Sequence, residues 1–323
     1  MFKGIIQSIP IGCDDFGKTG KVTKELTPML GFFNVYKEAG YTSHDVVAIV
    51  RKLTGGKVGH TGTLDPQAEG VLPICLGRAT KLADMITGQQ KSYVAEVILG
   101  ITTDTGDMTG QVLSRPPVEF DEGAILKAVE RFRGPQMQVP PMYSALKVGG
   151  KKLYDLARKG QTVERKPRAI TIADIKVLGY CPGNNSFTID VTCSKGTYIR
   201  SLCMDIGEAL GTGAAMGSLL RTRSGAFYVD TAYKLSQIKQ AAEDGSLSDI
   251  ILPVEKVLAF PRAYVLAEGL AMAKNGNPLP YSLVELPTPC EDGGKVWLHG
   301  PDGIIGLFAV DAAADKLRAE VML

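Results

Sequence analysis

The residue best placed to do chemistry is Asp65. It stands in Gly59-His60-Thr61-Gly62-Thr63-Leu64-Asp65-Pro66, with Gly70 and Pro73 close behind. Glycine reaches backbone conformations closed to other residues, and proline restricts the residue before it. The stretch therefore reads as a tight, rigid turn presenting one carboxylate. Such a carboxylate is either a turn-forming Asp or an aimed nucleophile or base. A second motif competes with it. Gly12-Cys13-Asp14-Asp15-Phe16-Gly17-Lys18-Thr19 fits the phosphate-loop pattern letter for letter. Its chemistry is poor, because Asp14 and Asp15 would repel the phosphate that the backbone amides are meant to attract. Gly20 and Pro28 also interrupt the helix that should follow.

Other reactive side chains are arranged without a site pattern. The histidines His44, His60 and His299 have no metal-ligand spacing, and the six cysteines include no Cys-x-x-Cys pair. Reduced, buried thiols in a cytoplasmic protein are expected, with no disulfide frame and no zinc site. No apolar run reaches membrane-spanning length. The chain of 323 residues has 36 Lys+Arg against 34 Asp+Glu, a formal net charge of +2. That balance announces no polyanionic partner, but the distribution does. Residues 131–168 hold ten basic residues (among them Lys147, Lys151 and Lys152) and two acidic ones, a local charge of +8. A surface of that kind attracts phosphate backbones, unless it is simply a solvated charged face.

The elements that must hold these residues are mixed. Thr42-Ser43 before Val46, Val47, Val50 and Leu53 predicts a capped helix. Asp121 before Ile125, Leu126, Val129 and Phe132 predicts a second, with Gly134 as its stop. Ile199, Leu202, Cys203, Ile206 and Leu210 before Gly211 predict a third. Residues 186–193 alternate as a strand with Phe187, Ile189, Val191 and Cys193 on one face, and 93–99 and 170–178 are also strand-like. The expected class is α+β on a largely antiparallel sheet. Beyond residue 250 prolines punctuate short strand-like runs, predicting a small, separate all-β module over 254–323.

Five blocks, in order, carry a resemblance. They are Gly59 to Lys81 around Asp65; Lys91-Ser92-Tyr93; Thr103-Asp104-Thr105-Gly106-Asp107; Gln138-Val139-Pro140-Pro141-Met142-Tyr143-Ser144-Ala145-Leu146-Lys147; and Cys193-Ser194-Lys195-Gly196-Thr197-Tyr198-Ile199-Arg200. Together with the segment around Leu219 they resemble the TruB family of tRNA pseudouridine synthases over residues 34–230. The resemblance implies an isomerase, with no metal or organic cofactor, that flips a T-loop uridine (position 55 of tRNA) out of its stack and turns it into pseudouridine. Asp65 is implied as nucleophile, at C6 of the base or C1′ of the sugar, and Arg200 as its partner. Tyr93 is implied as the residue stacking on the base, Tyr198 as a hydrogen-bonding or proton-handling residue, and Leu219 as pocket wall. If 193–200 is extended, Tyr198 and Arg200 share a face. His60 is implied near the vacated stack; Lys81 and Arg221 are candidate phosphate contacts or simply exposed cations. Residues 131–168 correspond to a thumb-like insertion over the T stem-loop, which gives Lys147, Lys151 and Lys152 their RNA. The tail resembles a PUA RNA-binding module. A monomer is expected.

Two departures stand out. The family often has Asp-Lys-Pro-x-Gly before its first helix, where this chain has Tyr36-Lys37-Glu38-Ala39-Gly40. Residues 1–33 also run long, as an extension or insertion that contains the whole phosphate-loop pattern. An RNA-binding protein or tRNA-folding chaperone without catalysis is the alternative reading, and a phosphate-loop NTPase a distant third.

Overall fold

The computed structural model describes residues 29–144, 146–161, 163–286 and 291–323. The phosphate-loop pattern at 12–19 and most of the N-terminal excess lie outside the described residues. The first strand is Gly31–Lys37, three residues ahead of the boundary expected at 34.

A ten-stranded sheet organises the larger part of the molecule. Its path runs Tyr233–Lys234, Gly31–Lys37, Glu69–Leu76, Ala214–Ser224, Lys91–Leu99, Ser186–Cys193, Arg168–Cys181 and Gly134–Gln138. The pairings are antiparallel except at two places, Gly31–Lys37 with Tyr233–Lys234 and Glu69–Leu76 with Ala214–Ser224. The expected α+β class with a largely antiparallel sheet is thus observed. The strand at 186–193 alternates as read, with Phe187, Ile189, Val191 and Cys193 buried.

Local chemistry starts and stops the helices. Helix Ser43–Thr54 opens on a capping box in which the Thr42 hydroxyl accepts from the Asp45 N–H while the Asp45 carboxylate accepts from the Thr42 N–H. Such a cap contributes about 1 kcal/mol. The helix ends at Gly55, whose φ of +66° is left-handed. Its buried face, Val46, Val47 and Val50, packs with Phe33, Val35, Leu72 and Ile74. Helix Glu122–Glu130 is capped by Asp121 but ends at Arg131, not at Gly134, which instead starts a strand. Leu126, expected on its apolar face, is exposed.

The C-terminal part is a barrel-like six-stranded sheet between Arg262 and Met322, with the short helix Leu270–Lys274 beside it. It packs directly against the larger part. Trp297, Leu307 and Leu323 share one apolar cluster with Phe32, Val71, Cys75 and Phe227 of the larger sheet and with Leu82 and Ile86 of the short helices after Leu76. The Trp297 indole N–H is satisfied by the Leu258 carbonyl at 2.8 Å. Of the four described cysteines, Cys75, Cys193 and Cys203 are buried thiols as expected, whereas Cys181 is exposed.

Candidate active site

The loop carrying Asp65 lies where the sheet changes direction, beside the parallel pair Glu69–Leu76 and Ala214–Ser224. Three elements hold it. Ser43, at the start of the first helix, accepts from the Leu64 N–H (2.9 Å) and donates to the Leu64 carbonyl (3.2 Å). Lys37, fully buried, donates to the carbonyls of Pro66 (3.0 Å) and Ala68 (2.7 Å) from below. Arg221 donates to the carbonyls of Val71 (2.7 Å) and Gly62 (3.0 Å) from the facing strand. Gly70, at φ +102°, has no room for a side chain, because a Cβ would collide with the Arg221 backbone. The loop is thus fixed by its flanks, with Leu64 buried as an anchor and the Asp65 side chain still 44% exposed.

Arg200 meets Asp65 with an Nε–Oδ2 distance of 3.0 Å. Its other nitrogens donate to the Thr105 (3.0 Å) and Tyr143 (2.7 Å) carbonyls, and Asp107 stands 3.7 Å away. A guanidinium fastened at four points presents a rigid face to its carboxylate, which a mobile cation would not. The pair sits in a cavity of about 270 Å³ lined also by Tyr93, Tyr198, Leu219, Lys91, Lys195 and Thr197. That volume suits one flat ring and its substituents. Burial raises the titration ranges of both tyrosines above the usual phenol value, against Arg221 beside Tyr93 and Ser144 and Arg200 near Tyr198. Both hydroxyls therefore keep their protons at neutral pH.

The structure brings Asp65, Tyr93, Tyr198, Arg200, Leu219 and Arg221 to one cavity and leaves others outside. Tyr198 and Arg200 do not share the face of a strand. The strand stops at Cys193, a turn through Gly196 (φ +80°) follows, and helix Ile199–Ala209 begins directly after Tyr198. Both residues still reach the cavity. Arg221, expected as an exposed phosphate contact, is 1% exposed and braces the Asp65 loop. Lys81 does not line the cavity, and its ammonium holds the Met322 carbonyl at 2.7 Å. His60 ends strand Val58–His60 with its ring edge-on to His44 at 5.6 Å, its Nδ1 buried without a partner. Burial, then the nearby His44 and Arg221 charges, lower its titration range and favour the neutral ring. Lys147 pairs with Lys152, and Val148 with Lys151, across a tight hairpin turned by Gly149 and Gly150, both left-handed. The segment between strands Gly134–Gln138 and Arg168–Cys181 spans 139–167. Arg133 lies at its foot, ion-paired to Asp174 and Glu130.

The comparisons agree with this geometry. Residues 50–199 match the TruB family pseudouridylate synthase (N terminal domain), and 200–259 match the tRNA pseudouridylate synthase B C-terminal domain. The tRNA pseudouridine synthase B of Bacillus velezensis is 46% identical over 286 residues, spanning 84% of this chain and 93% of that protein. The chain belongs to the TruB family. Its counterpart from Lachnoclostridium phytofermentans is 49% identical over 259 residues, 78% of this chain and 84% of that one. Among solved structures, a chain of a Cbf5-Nop10-Gar1 complex superposes with a TM-score of 0.68 at 28% identity, covering 93% of this chain and 86% of its own.

Several residues of this TruB-family site were missed from sequence. Lys37 was noted only as a retained letter, and Asp107 and Gln138 only as parts of blocks. Lys91 was visible in its spacing. The strand Lys91–Leu99 buries every second residue, so Lys91 shares the face of Tyr93. Its ammonium donates to the Thr87 (2.9 Å) and Gln89 (2.7 Å) carbonyls.

Burial lowers Lys37 to about 8, despite the nearby Glu69 and Asp65. The unfolded chain keeps that proton up to about 10.4. Between these values the unfolded state binds more protons, so this residue makes stability rise with pH. Lys37→Met is expected to lose roughly 1–3 kcal/mol at pH 7.5 through its orphaned carbonyls. Its stability gap to the wild type should widen toward pH 9.5, as urea melts at the two pH values would register; a gap that narrows would contradict the assignment.

Proposed function

We propose that the chain isomerises the T-loop uridine of tRNA (position 55 in tRNA numbering) to pseudouridine, with Asp65 as nucleophile. The observation that carries this reading is the Asp65–Arg200 pair at 3.0 Å in a base-sized cavity walled by Tyr93, Tyr198 and Leu219. A uridine flipped into this cavity would stack on Tyr93, a contact worth ~1–3 kcal/mol. The N1–C1′ bond then breaks, the base turns, and a C5–C1′ bond forms. The C5 proton leaves and N1 gains one, so the net change is isomerisation. Asp65 adds transiently to C6 of the base or to C1′ of the sugar and is released. The Tyr198 hydroxyl, kept neutral by burial, suits hydrogen bonding and proton relay at the base.

The lysine hairpin at 147–152 and the rest of the 139–167 excursion serve as a thumb over the RNA stem-loop. The C-terminal sheet, a PUA-like module over 254–323, adds a second RNA contact. The reaction takes place on a monomer in the cytoplasm. A chaperone without catalysis would leave the braced carboxylate and its tyrosines without a common task. Pseudouridine mapping on unmodified T-loop RNA, with tritium release from C5 as the rate assay, tests the reading. Absence of both from the purified wild type would refute it.

Of the cations lining the cavity, Lys91, Arg200 and Arg221 are bonded to protein oxygens, whereas Lys195 is exposed at the rim. It is the natural contact for a phosphate of the flipped nucleotide. Lys195→Ala is expected to weaken RNA binding and to lower the salt slope of log K by about 1, with little effect on kcat. Filter binding across a salt series measures it, and an unchanged slope would remove Lys195 from the contact.

A further inference from the structure

The helix that carries Arg200 starts without a side-chain cap of its own; Tyr198 occupies the cap position and makes no such bond. The segment leading into the thumb takes over. Gln138, the last residue of edge strand Gly134–Gln138, is 4% exposed, and its amide lies against the backbone of Tyr198. Its Oε1 accepts from the Tyr198 N–H at 2.8 Å, and its Nε2 donates to the Tyr198 carbonyl at 3.0 Å. A side chain thereby imitates a strand partner and fixes the backbone at the residue where extended chain becomes helix. The following residues continue the seam. The Ser201 hydroxyl donates to the Val139 carbonyl at 3.2 Å, and Arg200 donates to the Tyr143 carbonyl at 2.7 Å. Three residues separate Tyr143 from the first lysine of the hairpin.

We infer that Gln138 is a positioning residue: it joins the root of the thumb to Tyr198, and through the same seam sets the angle from which Arg200 faces Asp65. The inference rests on the isomerase reading. Without the two bonds the turn at 194–197 can slide, and Tyr198 and Arg200 slide with it. A displacement of about 1 Å costs on the order of 100-fold in rate. Gln138 does not line the cavity, so binding has no reason to change. A buried Gln that served only to satisfy the sheet edge would instead affect stability and leave kcat alone.

The test compares Gln138→Met, close in shape without either bond, with Gln138→Glu, which keeps the acceptor for the Tyr198 N–H and loses the donor. C5 tritium release gives kcat and KM, thermal melting gives stability, and RNA affinity is measured with each change in an Asp65→Asn background. The expected result for Gln138→Met is a kcat loss of about 10- to 100-fold with KM and RNA affinity within about threefold, and a smaller kcat loss for Gln138→Glu. A folded Gln138→Met with kcat within about twofold of wild type overturns the inference, as does a kcat loss matched by an equal loss of RNA affinity. Should Gln138→Met fail to melt cooperatively, Gln138→Glu decides: an unchanged kcat overturns, and a selective fall in kcat supports. A wild type that isomerises nothing refutes the functional reading instead, which keeps the two failures apart.

Discussion

Asp65→Asn will abolish pseudouridine formation while tRNA binding stays within about threefold of wild type, a rate loss of at least about 10³-fold. The substitution is nearly isosteric, and the amide oxygen still accepts from Arg200 Nε, so the loop keeps its geometry. Its supports from Lys37, Ser43 and Arg221 all act on backbone or on Leu64, and none touches the Asp65 side chain. What disappears is the carboxylate oxygen that the proposed reaction needs to form and release a covalent bond. Tritium release and binding to the same unmodified tRNA measure the two halves separately. Turnover above about a hundredth of wild type would take the nucleophile's role from Asp65. Loss of binding together with activity would mean that the carboxylate shapes the RNA site rather than reacting in it.

The second large effect is expected at Arg200. Arg200→Lys preserves the charge, yet kcat should fall by about 10²–10⁴-fold with KM changed by only a few-fold. One ammonium cannot reach the Asp65 carboxylate and the Thr105 and Tyr143 carbonyls together, because guanidinium nitrogens now serve them from different sides. Each buried carbonyl left bare costs roughly 1–3 kcal/mol, so a lower melting temperature should accompany the kinetic loss. Asp107, 14% exposed and 3.7 Å away, would draw the shorter cation off line. Steady-state kinetics with a melting curve checks both parts. Wild-type kcat in this variant would show that charge alone, not its fixed direction, supports Asp65.

Much of this was readable in the letters, and the misses have physical causes. The strand at 186–193 and the helix at 43–54 were legible because each packs one face on a core, and burial stamps its period on the sequence. Helix 122–130 was found but overrun. Gly134 looked like a stop, yet its positive φ starts an edge strand. Asp65 with its tyrosines emerged from type and spacing combined with resemblance. Lys37 and Arg221 could not be assigned that way. A charged letter suggests solvent, and only the fold shows three backbone oxygens around the Lys37 ammonium and two around the Arg221 guanidinium. Gln138 is the same case in neutral form, since its partner lies 60 residues away.

The seam between the two sheets has a mechanical consequence. Trp297 and Phe32 sit in one apolar cluster, and Arg78 and Lys81, in the short helix that follows strand Glu69–Leu76, grip the carbonyls of Leu323 and Met322. The spacing from the C-terminal sheet to the Asp65 cavity is therefore locked, as in a caliper set to one opening. An RNA touching both jaws must match that opening with its own length, so one base pair added between the two contacts would present the wrong nucleotide to the cavity.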